Sequence, residues 1–217
     1  AWRFIEVLRA CGALAELLPE IDALFGVPQP PQHHPEIDCG EHLLLCLRQA
    51  ARLGASTEVR YAVLLHDLGK AKTPPEMLPA HHGHQESSAR LAEAVSHRLR
   101  APVAYRELAV LVARHHVTVH QALVLRPGTL VDLLEKLDAF RRPERFEQVL
   151  LACLIDATGR GDRQDSAYPQ ADRLRESLAL LRAQDLRAVI GASGGGAAVK
   201  AAIREARIAL LRDRLRI

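Results

Sequence analysis

The chain has 217 residues, 48% hydrophobic, 4% aromatic and 25% charged, with 11 histidines and a net charge of +3, and is long enough to bury a core in one large domain or one and a half. It carries no signal peptide, and its longest apolar runs, such as Val149 to Ile155, are far too short to span a bilayer. The weak positive charge suits an anionic substrate but is too small to establish nucleic-acid binding.

Leu and Ala dominate, which favours helix over sheet. Apolar residues recur at helical spacing along almost the whole chain. The pattern predicts a helix from Trp2 to Leu18, broken near Gly12, then a Pro-rich connection from Pro19 to Pro35. An amphipathic helix covers Glu41 to Leu53, and a buried one covers Glu58 to Leu68. Lys70 to Gly83, with Pro74, Pro75 and Pro79, reads as loop. Helices follow over His84 to Leu99 and Tyr105 to Val117. Thr129 is the expected N-cap, with Asp132 three residues on, of a helix from Leu130 to Phe140. Pro143 suits the first turn of a helix running to about Thr158. After a loop from Gly159 to Pro169, Gln170 to Ile190 reads as one helix. Gly191 to Gly196 is a flexible joint, and Ala198 to Ile217 a last, Arg-rich helix. No period-two pattern persists, so the expected fold class is all-α.

Cys11, Cys39, Cys46 and Cys153 show no CxxC spacing and read as reduced, buried thiols of a cytoplasmic protein. The chain opens Ala1-Trp2-Arg3-Phe4 without an initiator Met and inside a helical pattern, as a piece of a longer protein would.

The chemistry concentrates at Leu64-Leu65-His66-Asp67-Leu68-Gly69-Lys70. An imidazole beside a carboxylate makes half of a divalent-metal site. Adjacent helical residues lie about 100° apart around the axis, so further ligands must come from facing helices. His42 opens the preceding helix and Asp156 sits late in a distant one, each beside an apolar stripe where an unsatisfied polar group is costly. A divalent ion held there acidifies water and polarises a phosphoryl oxygen. Mixed nitrogen and oxygen ligation suits Ni, Co, Mn, Mg or Zn without choosing among them.

The pattern His42, His66-Asp67, Asp156 resembles the HD superfamily of metal-dependent phosphohydrolases. Lys70, one turn past His66, reads either as a cation for the developing phosphate charge or as a helix C-terminal Lys answering the macrodipole. His84 and His116 read as phosphate contacts or as ligands of a second ion. His81, His82, His115 and His120 read as loop or helix-end imidazoles.

A narrower resemblance rests on longer strings. Arg9-Ala10-Cys11-Gly12-Ala13-Leu14, the run Leu18-Pro19-Glu20-Ile21-Asp22 on to Pro28, and His34-Pro35-Glu36-Ile37-Asp38 are similar to bacterial CCA-adding tRNA nucleotidyltransferases. Thr73-Pro74-Pro75-Glu76, His81-His82-Gly83-His84 and Asp165-Ser166-Ala167-Tyr168-Pro169-Gln170 are similar to their HD-bearing, multifunctional form. The resemblance implies the end of the neck helices over 1–28, an HD phosphohydrolase domain over 29–190, and a joint with a C-terminal helix over 191–217. The head's Gly-Ser phosphate motif and Asp-x-Asp pair do not occur in the chain.

The resemblance further implies 2′,3′-cyclic phosphodiesterase, 2′-nucleotidase and phosphatase activity. Nickel is the implied metal, with magnesium for the phosphatase and cobalt or manganese as alternatives. Cyclic nucleotides or tRNA 3′ ends are the implied substrates. Arg160 stands where the family keeps an Arg, and reads as a phosphate contact or as a surface residue. Ser193-Gly194-Gly195-Gly196 departs from the family's turn before the last helix.

The alternative is a non-catalytic helical module that binds tRNA through Arg204, Arg207, Arg212, Arg214 and Arg216, with salt-dependent affinity, or that forms a homodimer. A pure binding module has no need of four converging metal ligands.

Overall fold

The computed structural model describes residues 1–32, 35–161, 163–191 and 194–214. His34 and Ser193 of the quoted strings, and Arg216, lie outside them. Among the described residues there are twelve α-helices and no strand beyond one isolated bridge, Pro28 to Asp38, so the fold is all-α as expected. The helices are α1 (Trp2–Ala10), α2 (Ala13–Leu17), α3 (Pro19–Asp22), α4 (Cys39–Arg52), α5 (Thr57–Leu65), α6 (His84–Arg98), α7 (Val103–His120), α8 (Pro127–Lys136), α9 (Pro143–Thr158), α10 (Pro169–Ala183), α11 (Arg187–Gly191) and α12 (Gly196–Arg214). No helix is long and apolar enough to cross a membrane.

The chain divides into two compact units, residues 1–117 with 147–167, and residues 118–146 with 168–217. The first holds α1 to α6 and most of α7 and α9. Its helix starts are written in the sequence. The Asp38 carboxylate accepts from the Glu41 N–H to open α4, and the Ser56 hydroxyl accepts from the Val59 N–H to open α5. One face of α4 is buried, carrying His42 and Cys46 among Leu43, Leu47 and Ala50. Pro19 at a first helical position starts α3 inside the stretch expected to be plain connection.

The principal correction concerns α5. It ends at Leu65, three residues before the expected Leu68. His66 keeps helical dihedrals as the cap, Asp67 leaves them, and Leu68 to Lys72 form a 3₁₀ turn. The cause is non-local. The Gly69 N–H donates to the Ser88 hydroxyl at 2.9 Å rather than to the carbonyl four residues back. A Cβ at Gly69 would lie 2.2 Å from Ser87 Oγ and 2.4 Å from the His84 carbonyl oxygen. Only glycine lets this turn sit on the start of α6.

The second unit packs α8, α10 and α12 around Leu130, Leu134, Leu174, Leu181 and Leu211, all buried. Two expectations fail here. Helix α8 starts at Pro127, capped by Arg126, so Thr129 lies inside the helix. Proline's fixed φ and missing N–H suit the first position, and set the start ahead of the threonine. Helix α10 stops at Ala183 rather than at Ile190. Gln184 is extended, and the Asp185 carboxylate accepts from the Arg187 N–H, capping a separate α11.

On α12, Arg204 pairs with Asp132 at 2.8 Å and Arg207 with Glu135 at 3.0 Å, so two of the arginines considered for phosphate contact have intramolecular carboxylate partners. Arg212 and Arg214 are exposed. Of the four thiols, three are buried as expected and Cys11 is exposed.

Candidate metal centre

The site lies wholly in the first unit, and its parts arrive from helix ends. His42 is on the first turn of α4, His66 caps α5, and His84 opens α6. His116 lies near the end of α7, and Asp156 is in the last turn of α9. Gly159 holds α9 close to α4, since a Cβ there would sit 2.7 Å from the Cys46 Cα. Asp156 is thereby brought beside His42, 114 residues away in sequence.

All four expected metal ligands meet. His42 Nε2 is 3.0 Å from Asp156 Oδ1, His66 Nε2 is 3.7 Å from the same oxygen, and His66 Nε2 is 3.2 Å from Asp67 Oδ2. His84 and His116 join them, with their Nε2 atoms 3.2 Å and 3.4 Å from Asp67 Oδ1. Lys70 and Arg160 complete the cluster. The Lys70 ammonium is 2.7 Å from Asp67 Oδ2 and donates to Gln29 Oε1 at 2.9 Å. The Arg160 guanidinium donates to Asp156 Oδ1 at 3.1 Å and to the Asp156 carbonyl at 3.2 Å. Both cations therefore hold the ligating carboxylates in place.

The imidazoles are oriented by the backbone. His66 Nδ1 faces the Val63 carbonyl at 2.7 Å, His84 Nδ1 the His81 carbonyl at 2.6 Å, and His116 Nδ1 the Val112 and Ala113 carbonyls at 3.1 Å each. A carbonyl only accepts, so each Nδ1 carries a proton and each Nε2 is the nitrogen turned inward to the carboxylates. His42 is set the same way by a carboxylate, with Nδ1 2.9 Å from Glu36 Oε1. This carboxylate or carbonyl behind each imidazole is the outer arrangement that metal-bound histidines use.

The donors fit a divalent ion. His66 Nε2 and Asp67 Oδ1 are buried without a hydrogen-bond partner among the described residues, a costly arrangement that a cation relieves. Ligands on one ion with bonds near 2.1 Å stand roughly 2.9 to 3.4 Å apart, close to the spacings found. Three overlapping sets of nitrogen and oxygen donors come within 4.8 Å: His42, His66 and Asp67; His66, His116 and Asp156; and Asp67, His84 and His116.

The electrostatics agree. Burial opposes charge on His66, but Asp67 and Asp156 outweigh it and carry the imidazole up to about 10. Burial also works against Asp67 as an anion, and His66 with Lys70 nevertheless holds it well below the usual carboxylate range. Burial dominates at His116 and pushes it down, keeping it neutral.

His81, His82 and His120 lie outside these donor sets. His81 pins two loops instead, accepting from the Thr73 hydroxyl at 2.7 Å and donating to the Pro28 carbonyl at 2.9 Å. His82 is exposed, and His120 bonds the Tyr168 hydroxyl in the second unit. Sequence reasoning missed Glu36, Gln29 and Cys46. Cys46 alone left a readable signal, one helical turn after His42.

A family model described as the HD domain matches residues 39–160. The chain is 53% identical over 210 residues to the "Multifunctional CCA protein" of Thioalkalivibrio sulfidiphilus, covering 97% of this chain and 51% of that protein. It is 56% identical over 205 residues to the protein of that name from Halorhodospira halophila, covering 94% and 49%. A third, from Nitrosococcus oceani, is 50% identical over 211 residues, covering 97% and 52%. The chain thus spans about half the length of the curated relatives it matches.

Proposed function

Because this chain belongs to the HD domain family, we propose that it is a metal-dependent phosphohydrolase that opens 2′,3′-cyclic phosphates and cleaves phosphomonoesters at nucleotide and tRNA 3′ ends. The observation that carries the reading is the convergence of His42, His66, Asp67 and Asp156, with two of their atoms buried and making no hydrogen bond among the described residues. A divalent ion bound there supplies a Lewis acid that lowers the pKa of water and draws charge from a phosphoryl oxygen.

The chain's own residues supply the rest. Lys70 fixes the orientation of Asp67, and Arg160 that of Asp156. Arg160 and His84 keep the larger accessible fractions in the cluster, with 15% and 9% of their side chains exposed. They mark where the cluster meets solvent and where a phosphate first touches the protein. His84 and His116, facing Asp67, contact the phosphate or take a second ion. The tRNA part of the reading rests on the sequence resemblance alone.

The test is hydrolysis of 2′,3′-cyclic AMP by the metal-stripped chain after addition of Ni2+, Co2+, Mn2+ or Mg2+. Activity should return with metal and vanish in His66→Ala and Asp67→Ala. Undiminished activity in both variants refutes the site.

A further inference from the structure

The proposed metal reading uses nitrogen and oxygen donors only, yet a sulfur lies within ligating distance. Cys46 follows His42 by one turn of α4, so both side chains leave the same helix face. Its Sγ is 3.4 Å from His42 Nε2 and 3.8 Å from Nδ1 of the same ring, with a long 3.9 Å approach to the Gly159 carbonyl. His42, Cys46 and Asp156 form a donor set within 4.8 Å, all three buried.

The spacing is that of shared ligands. A tetrahedral ion with a metal–sulfur bond near 2.3 Å and a metal–nitrogen bond near 2.0 to 2.1 Å holds the two donors about 3.5 Å apart. The 3.4 Å found here matches that separation, and because Sγ also lies 3.8 Å from Nδ1 the sulfur must turn toward the Nε2 side to share an ion. Glu36 behind His42 Nδ1 turns Nε2 toward Asp156, and Cys46 lies beside the same ring. Gly159 lies against the Cys46 Cα, which keeps α4 from shifting away from α9.

We infer that Cys46 is a conditional metal ligand, through which the centre captures thiophilic divalent ions such as Zn2+ and Cd2+ on His42, Cys46 and Asp156. Ligation forms a metal–sulfur bond and releases the thiol proton to solvent. Hard ions such as Mg2+ and Mn2+ gain nothing from the sulfur and use the nitrogen and oxygen donors. The two modes share His42 and Asp156, so a thiophilic ion excludes the hard one. Cys46 thus sets which metals occupy the centre, and Zn2+ or Cd2+ in excess inhibits.

This inference rests on the metal-centre reading and is tested apart from it. The metal-free chain is titrated separately with Mn2+ and Cd2+, following bound metal and ultraviolet absorption. Wild type should bind both ions, and Cd2+ alone should bring a thiolate-to-cadmium charge-transfer band. Cys46→Ser should abolish the band and weaken Cd2+ binding by roughly ten- to a hundred-fold, far more than Mn2+ binding. Cys11→Ser, at the exposed thiol, should keep the band. Cd2+ binding to wild type without the band, or a band that survives in Cys46→Ser, overturns the role of Cys46 while leaving the centre intact. Failure of wild type to bind either ion overturns both readings. The decisive band is read on wild type, so it does not depend on a variant folding.

Discussion

Gly69→Ala should loosen both the fold and the metal centre. The added Cβ would meet Ser87 Oγ at 2.2 Å, the His84 carbonyl oxygen at 2.4 Å and the Ser88 nitrogen at 2.6 Å. Two of these are backbone atoms, so no rotamer change relieves the clash, and the 3₁₀ turn must move off α6. Overpacking of this kind costs about 1–3 kcal/mol. Losing the Gly69 N–H bond to Ser88 Oγ adds about 1 kcal/mol. The expected loss is therefore about 2–4 kcal/mol, or a Tm lower by roughly 5–15 °C. Asp67 lies before the turn and His84 at its contact, so their facing atoms separate and metal affinity falls as well. Urea unfolding measures the first effect and calorimetric titration with Mn2+ the second. Gly128→Ala in α8 is the control, since its Cβ would lie 3.7 Å from the nearest atom and a helical Ala gains about 0.5–1 kcal/mol. If Gly69→Ala is as stable as wild type, the close approach does not determine where α5 ends.

Glu36→Gln should leave the fold intact and lower metal affinity by roughly ten- to a hundred-fold, because His42 loses the carboxylate that fixes its proton on Nδ1; unchanged binding would exclude that positioning role. Lys70→Met should destabilise the metal-free chain by about 3–5 kcal/mol, the cost of leaving one partner of a buried ion pair, and a loss under about 1 kcal/mol in denaturant melts would count against it. The pH response should reverse with metal. His66 rises from an ordinary 6.5 to about 10 on folding, so its contribution is full below about 6.5 and is lost as pH climbs toward about 10. Asp67, held low, acts oppositely and is lost only in acid, while His116, held down by burial, acts below the same window. The metal-free chain should weaken from neutral to alkaline pH, and the metal-loaded chain should not, because the ion takes the deprotonated imidazole; parallel unfolding curves across that window would refute the reading.

Local physics explains what could be read from the chain directly. Helical periodicity, Pro127, Pro143 and Pro169 at helix starts, and Asp38 and Ser56 as caps act within a few residues. The all-α class and most helix bounds were therefore legible. The eight residues named for the site, from the motif and the resemblance together, lie in one cluster.

The misplaced ends of α8 and α10 had local causes at Pro127 and Asp185, whereas what failed at the site was set by contacts between segments far apart in sequence. The pattern of apolar residues cannot show that Gly69 donates its N–H to Ser88, so α5 was drawn through His66-Asp67 instead of ending there. Nor can it show that Lys70 turns inward to Asp67 and Gln29 rather than standing free for a phosphate. Glu36 sits in a loop with no periodic signal, and only folding brings its carboxylate behind His42. By itself the sequence determined the all-α class and most of the helices and named the candidate ligands. Tertiary structure decided which groups the inward-facing nitrogens meet and that a cysteine sulfur lies beside them, because His42 and Asp156 stand 114 residues apart in the chain and meet only when α4 packs on α9.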